Sequence, residues 1–216
     1  MSVQTAPKAP ATTENGHRDD TIELHRSTID KLLIAFGVIA AMVFAAAGGL
    51  LTWGATFADD YVQDELESQN IFFPEEEALA EEGRDDLVQY AGDQVTTGQE
   101  AEAYASYIDG HLQDIAGGLT YSEIDDRGAA QAVVEAEEAG ASADEVAELQ
   151  ATADELRRQR DSLFRGETLR GLLLSTFAWS TIGRIAAIAA WVAFAAAAVM
   201  TALVVAGVVH VRRSKA

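Results

Sequence analysis

Two long apolar runs separated by a polar stretch dominate the hydropathy pattern of this chain. From Leu32 to Phe57, 26 consecutive residues carry no charge. A helix of that length reaches about 39 Å, more than the roughly 30 Å of a bilayer's hydrocarbon core. The second run, Ile185 to Val211, has 27 residues, and its only ionisable member is His210, next to its end. Buried helices of soluble domains usually keep a polar stripe; neither run has one. The pattern predicts two transmembrane helices, 32–57 and 185–211. The first is expected to be an uncleaved anchor, because 31 residues precede it and a signal peptide's apolar region has only about 7–15 residues.

The remaining pattern predicts helices throughout, so the expected fold class is all-α. Residues 1–31 form a cytoplasmic tail, disordered over about the first 20. Residues 58–184 form a helical extracytoplasmic domain, and 212–216 a short basic tail. Within 58–184, Asp59 to Gln69 has helical composition, and Ile71-Phe-Phe-Pro74 forms an extended break before proline. Thr97 to Glu100 is a capping box. It opens a helix with Tyr104, Ile108, Leu112 and Ile115 on one face, and Gly117-Gly118 ends it. Residues 121–139 read as a turn and a short Ala- and Glu-rich helix. Ser142 to Glu145 is a second capping box. Behind it Val146, Leu149, Ala153, Leu156, Arg160 and Leu163 recur at alternating steps of three and four. That seam is expected to pack against the Tyr104 face, with Asp154–Arg158 and Asp161–Arg165 as i,i+4 ion pairs on its surface. The apolar stretch 171–183 is expected to continue the second span outward against residues 59–70; the alternative is an interfacial helix. Ala41, Ala45 and Gly49, and Ala189, Ala193, Ala197 and Thr201, form four-residue stripes of small side chains suited to close helix contact.

Charge sets the orientation. Arg18, Arg26 and Lys31 precede the first span, Arg212, Arg213 and Lys215 follow the second, and no Lys or Arg lies between Ala58 and Gly83. The positive-inside bias places both termini in the cytoplasm. Trp53 and Trp191 then lie together at the outer interface. Lys and Arg total 15 and Asp and Glu 35, giving a net charge of −20. Residues 58–184 hold 30 of the acids and eight of the bases, a net of −22. Anionic headgroups repel such a domain, so it is expected to stand off the membrane except where Arg165, Arg170 and Arg184 approach it.

The same composition narrows the chemistry. An acidic chain lacks the basic face that nucleic-acid binding needs, so no nucleic-acid partner is expected. The chain has no cysteine, which excludes disulfides, thiolate metal sites and a cysteine nucleophile. His17 and His25 fall in the cytoplasmic tail, His210 at the inner end of the second span, and His111 alone outside. One outer histidine cannot supply a two-histidine metal site within one chain. No nucleophile elbow, phosphate loop or dinucleotide fingerprint occurs, and neither span carries the acid that a transport pathway usually needs. No catalytic, cofactor-binding or metal-binding residue is therefore expected, and neither a cofactor nor an enzymatic activity.

The stretches SQNIFFPEEE (68–77), YAGDQVTTGQEAEAYASYIDGHL (90–112), GGLTYSEI (117–124) and LFRGETLRGLLLSTFAWSTIG (163–183) resemble a group of small, uncharacterised two-pass membrane proteins of actinobacteria. Some of that group carry the label aromatic ring-opening dioxygenase. The resemblance covers most of 30–210 and implies the two-pass layout and an actinobacterial cell membrane. It supplies no catalytic residue, and the histidine count departs from that enzyme label.

Two functions follow as expectations. The first is an accessory or interaction protein that uses the lipid bilayer as its support and displays an acidic helical domain to another membrane or envelope protein. The alternative is a sensor or ligand-binding module that signals through a cytoplasmic partner. An envelope enzyme using paired carboxylates is set aside, because with 30 acids no pair is singled out.

Overall fold

Two helices dominate because nothing in their sequences stops them. The prolines stand at 7, 10 and 74, outside both long helices, where one would remove a backbone donor and clash with the preceding turn. The computed structural model describes residues 26–213. The tail at 1–20, His17, His25 and Lys215 lie outside the described residues. Helix α1 spans Arg26–Gln69 and α5 spans Ala143–Arg213, 44 and 71 residues. At 1.5 Å per residue they are about 66 and 107 Å long. Each contains a segment long and apolar enough to cross a membrane, with mean hydropathy 2.3 and 2.5. Between them lie the short α2 (Glu76–Glu81), a 3₁₀ turn (Asp85–Tyr90), α3 (Gly98–Ala116) and α4 (Asp126–Glu138). The described residues are all-helical, apart from one isolated antiparallel bridge between Phe72 and Gln94.

Helices α1 and α5 run side by side as a hairpin. Their shared seam follows alternating steps of four and three, which keep one face turned to a partner helix. Glycines set its closeness. A Cβ on Gly37 would lie 2.6 Å from Val204 Cγ2, one on Gly48 would lie 2.8 Å from the Phe194 ring, and one on Gly183 would lie 3.1 Å from Ala58 Cβ. The expected small-residue stripes hold in part, with Ala41, Ala189 and Ala193 half-buried. Gly37, Gly48 and Ala58 are buried in the first helix, whereas Ala45 and Gly49 are exposed and Gly49 has open space around it. In the second, Ala197 is buried as expected, but Gly183 and Ala190 share its face and Thr201 is exposed.

The continuation of the second span is as expected: 171–183 belongs to α5 without a break, and Leu173 packs with Val62 and Leu66 of α1. Helix α1 stops at Asn70, whose φ of 53° is the left-handed conformation that asparagine tolerates at a helix end. The extended link after it pairs with residues 93–95: Phe73 N–H donates to Asp93 O and Val95 N–H to Ile71 O, both at 2.9 Å. This pairing inserts Phe73 and Val95 into a core with Val62, Leu66, Leu173, Ala101 and Ala105. The Phe73 ring stacks on Tyr90 and meets Tyr104 edge-on, each at 5.2 Å.

The capping box at α3 is complete. Glu100 N–H donates to Thr97 Oγ1 at 3.3 Å, and the Thr97 N–H donates back to Glu100 Oε2 at 2.9 Å. Gly117 ends the helix in the left-handed conformation. At α5 the hydroxyl half of the second box is present, Glu145 N–H to Ser142 Oγ at 3.3 Å. The buried face of α3 differs from expectation in one position. Ala101, Ala105, Leu112 and Ala116 are buried, while Ile115 is 46% exposed.

The seam of α5 divides between two partners. Leu163 and Leu156 pack with Leu112, Ala116 and Ile124, whereas α4 packs on α5 with its first residue, Asp126, at Arg160. Arg160, the charged position in the seam, is neutralised there. Its guanidinium pairs with Asp126, donates to Tyr121 Oη at 3.2 Å, and lies 4.6 Å over the Tyr121 ring. The surface ion pairs also shift register: Arg157–Asp154 and Arg158–Glu155 form at i,i+3, in place of Asp154–Arg158 and Asp161–Arg165.

Candidate functional site

Three features could carry function, two in the polar region between the apolar runs and one in the apolar seam of the hairpin. The first is an open groove of about 330 Å³ between the far end of α1 and α5. Val62 and Leu66 turn inward to the core, which leaves the adjacent stripe Tyr61, Glu65 and Gln69 as one wall. Leu169, Leu172, Ser175, Thr176 and Trp179 of α5 form the other. Below it the exposed face continues without a polar break: Phe57 is 59% and Ile182 56% exposed. Trp53, Phe57 and Tyr61 stack in a ladder at 6.0 and 6.2 Å along α1.

The second feature joins the 3₁₀ turn to α3. Arg84 donates to both Asp86 oxygens at 3.0 and 2.9 Å and to Ser106 O and Oγ at 3.0 and 2.8 Å. The hydrogen bond to Asp86 raises the Arg84 pKa above its ordinary value, and the same bond lowers that of Asp86. Tyr107 Oη donates to Glu82 Oε1 at 3.4 Å, and His111 Nε2 lies 3.8 Å from the same oxygen. Burial, with the Glu82 carboxylate next, pushes the Tyr107 phenol up. The His111 ring meets that of Tyr107, one turn earlier on α3, at a tilt of 49° with centroids 4.6 Å apart. The cluster is a polar clamp that ties a loop to a helix. Among the described residues no three His, Asp or Glu side chains converge as a metal site would require.

The third is a groove of about 260 Å³ near the ends of the hairpin, between Asp30 and Phe36 of α1 and Met200 and His210 of α5. It lies within the apolar seam, where Gly37 and Gly207 thin the wall.

Trp53 and Trp191 stand at one level of the hairpin, since Trp191 lines a groove with Thr52 and Ala55. Of the three arginines expected near a membrane surface, Arg184 is next to the apolar run 185–211 and lines a groove with Asp59. Arg170 instead ties α5 to α3, with Nε 3.4 Å from Asp109 Oδ1, and also pairs with Glu167 at 3.0 Å. Along an unbroken helix Arg165 lies about 30 Å beyond Ile185.

Tyr61, Glu65, Leu172 and Trp179 were not singled out from the sequence. The available signal was the seven-residue spacing of Leu172 and Trp179, which places both on an apolar face of α5 separate from its buried seam. No family model, curated protein or solved structure matches this chain.

Proposed function

We propose that this chain is a two-pass membrane protein that serves as an accessory subunit. Segments 32–57 and 185–211 cross the cell membrane, both termini are cytoplasmic, and 58–184 stands outside as an acidic helical domain for another membrane or envelope protein. The observation that carries the reading is the apolar surface beyond the spans. Leu172 and Trp179 are exposed on the stretch of α5 that precedes the proposed second span, and such surface on one side of a rigid element marks a contact with a partner. The resemblance of 68–77, 90–112, 117–124 and 163–183 to two-pass actinobacterial membrane proteins supports the same layout.

The test has two parts. In a chain without native cysteine, Ser142→Cys is expected to react with a membrane-impermeant maleimide in intact cells, and Ser214→Cys only after permeabilisation. Crosslinking in cells, followed by purification in mild detergent and mass determination, is expected to give a stoichiometric second protein. A monodisperse monomer or homo-oligomer refutes the accessory role. The sensor reading is favoured by one observation: α5 is a single helix from Ala143 to Arg213, so a displacement near α4 is carried rigidly to the cytoplasmic end. Hydrogen exchange in α5 that stays unchanged across envelope ions and ligands refutes it.

A further inference from the structure

A further groove follows the α1–α5 seam where the apolar runs begin, polar at one end and apolar at the other. The polar part, about 310 Å³, has Thr56 and Asp59 of α1 on one wall and Ser180 and Arg184 of α5 on the other. The apolar part, about 260 Å³, runs over Ala190 and is flanked by Trp191 and Phe194. Ala55, Thr56 and Ala187 line both, so the two parts form one groove. Below Thr56 the hydroxyl of Thr52 is satisfied within its own helix, donating to Gly48 O at 2.8 Å. The polar part is the reverse. Asp59 and Arg184 carry opposite charges in one groove yet form no ion pair, with each other or with any other described residue. Nor do the Thr56 and Ser180 hydroxyls make a hydrogen bond among the described residues.

We propose that this groove holds one phospholipid whose headgroup carries both a phosphate and a primary amine, with an acyl chain lying along the apolar part. The proposal rests on the two-pass layout and adds a ligand to it. Depth selects a lipid. Arg184 immediately precedes the apolar run, and Phe194 lies 10 residues further along α5, about 15 Å, which is one leaflet of a hydrocarbon core of roughly 30 Å. Charge selects the headgroup. Arg184 meets the phosphate, which suits the fork of N–H donors on a guanidinium, and Asp59 accepts from the ammonium. The Thr56 and Ser180 hydroxyls donate to the remaining phosphate oxygens. Residues 58–184 hold 30 acids and eight bases, a field that repels a lipid of net negative charge. A choline nitrogen has no N–H to give Asp59.

The experiment uses the full chain, purified from membranes in mild detergent and incubated with equal amounts of phosphatidylethanolamine, phosphatidylglycerol and phosphatidylcholine. Native mass spectrometry is expected to find one phosphatidylethanolamine retained per chain. Arg184→Gln should lower its retention several-fold, and Arg184→Lys should restore part of it. Asp59→Asn should remove the preference over phosphatidylcholine. Arg127→Gln, at an exposed position of α4, should change nothing. Circular dichroism of each variant verifies that the fold is kept. Free phosphoethanolamine at the lipid's own concentration should not compete, because it has no acyl chain; equal competition assigns the groove to a soluble phosphomonoester and overturns the lipid. Equal retention of the three lipids, or retention that Arg184→Gln leaves unchanged, also overturns the proposal. A chain that withstands carbonate washing of the membrane but retains no lipid overturns the lipid site and leaves the two-pass layout and the accessory role standing. A chain that the wash releases overturns the layout as well.

Discussion

The tightest contact between the helices of the polar region is at Gly98. A Cβ there would lie 2.3 Å from Ser180 Cβ and 2.6 Å from its Oγ, with Phe177 Cα next at 3.4 Å. Carbon atoms pack favourably at about 3.5–4.0 Å, so Gly98→Ala forces the first turn of α3 away from α5 by roughly 1 Å. Overpacking of this kind costs about 1–3 kcal/mol. Alanine offsets part of that, because it is the better helix former by up to about 1 kcal/mol. The expected net loss is about 1–2 kcal/mol. Ser180→Gly removes both clashing atoms and leaves only the ordinary Phe177 contact; alone it should cost about 0.5 kcal/mol of helix propensity. In that background Gly98→Ala should be neutral or stabilising, a coupling of at least about 1 kcal/mol. Denaturant unfolding in detergent, followed by far-UV circular dichroism, gives the four stabilities. Hydrogen exchange of the α3 amides locates the loss. Gly98→Ala that destabilises equally in both backgrounds, or not at all, refutes the close approach of α3 to α5.

Three further outcomes are expected. Phe73→Ala removes a ring packed between Tyr90 and Tyr104 in the core and should cost about 3–5 kcal/mol; a loss below about 1 kcal/mol in the same unfolding assay contradicts the docking of the 71–74 link. For Glu100, burial acts to raise the carboxyl pKa, but bonds from the Thr96 and Thr97 N–H groups and hydroxyls outweigh it and hold the value below the ordinary one. A depressed folded value contributes stability above the unfolded pKa of about 4.3, so the penalty of Glu100→Ala should be full at neutral pH and fade as pH falls through the folded value. Carboxyl carbon NMR should place the Glu100 midpoint below that of free glutamate. Ala58→Cys with Gly183→Cys puts two Cβ atoms about 3.1 Å apart, near the disulfide range of about 3.5–4.5 Å, in a chain with no other cysteine. Mild oxidation should close the bridge within one chain, seen as a shift on a non-reducing gel. Gly49→Cys with Gly183→Cys should give none.

What was legible in the sequence follows the strength of the hydrophobic signal. Large side chains and cap residues marked their places well: the two apolar runs, the Thr97–Glu100 box, the break at 71–74 and the unbroken helix through 171–183 all appear in the structure. The errors fall where alanine and glycine decide the contact. Ile115 was assigned to the packed face of α3 because it is large, yet Ala101, Ala105 and Ala116 are buried and Ile115 is not. Close helix approach selects small residues, and these carry little hydropathy to reveal them.

The stripe Ala41, Ala45, Gly49 failed for a geometric reason. Strict four-residue steps rotate about 40° around the helix at each repeat, so such a stripe drifts off a straight seam within three members. Alternating steps of four and three stay on it; the buried positions Gly37, Gly48, Ala58 and Val62 of α1 fit that rule, and only Leu66, reached by a second step of four, departs from it where α1 enters the core with Phe73 and Val95. In an alanine-rich span several registers look alike in composition, and the partner's bulky residues choose among them. Here Val204 and Phe194 on α5 select Gly37 and Gly48. The groove was missed for a related reason. Tyr61, Glu65, Leu172 and Trp179 belong to two segments more than 100 residues apart, and the register of the hairpin is what brings them to one level. A substitution that slips this register, such as Gly48→Leu against Phe194, should therefore alter the groove and the apolar seam together.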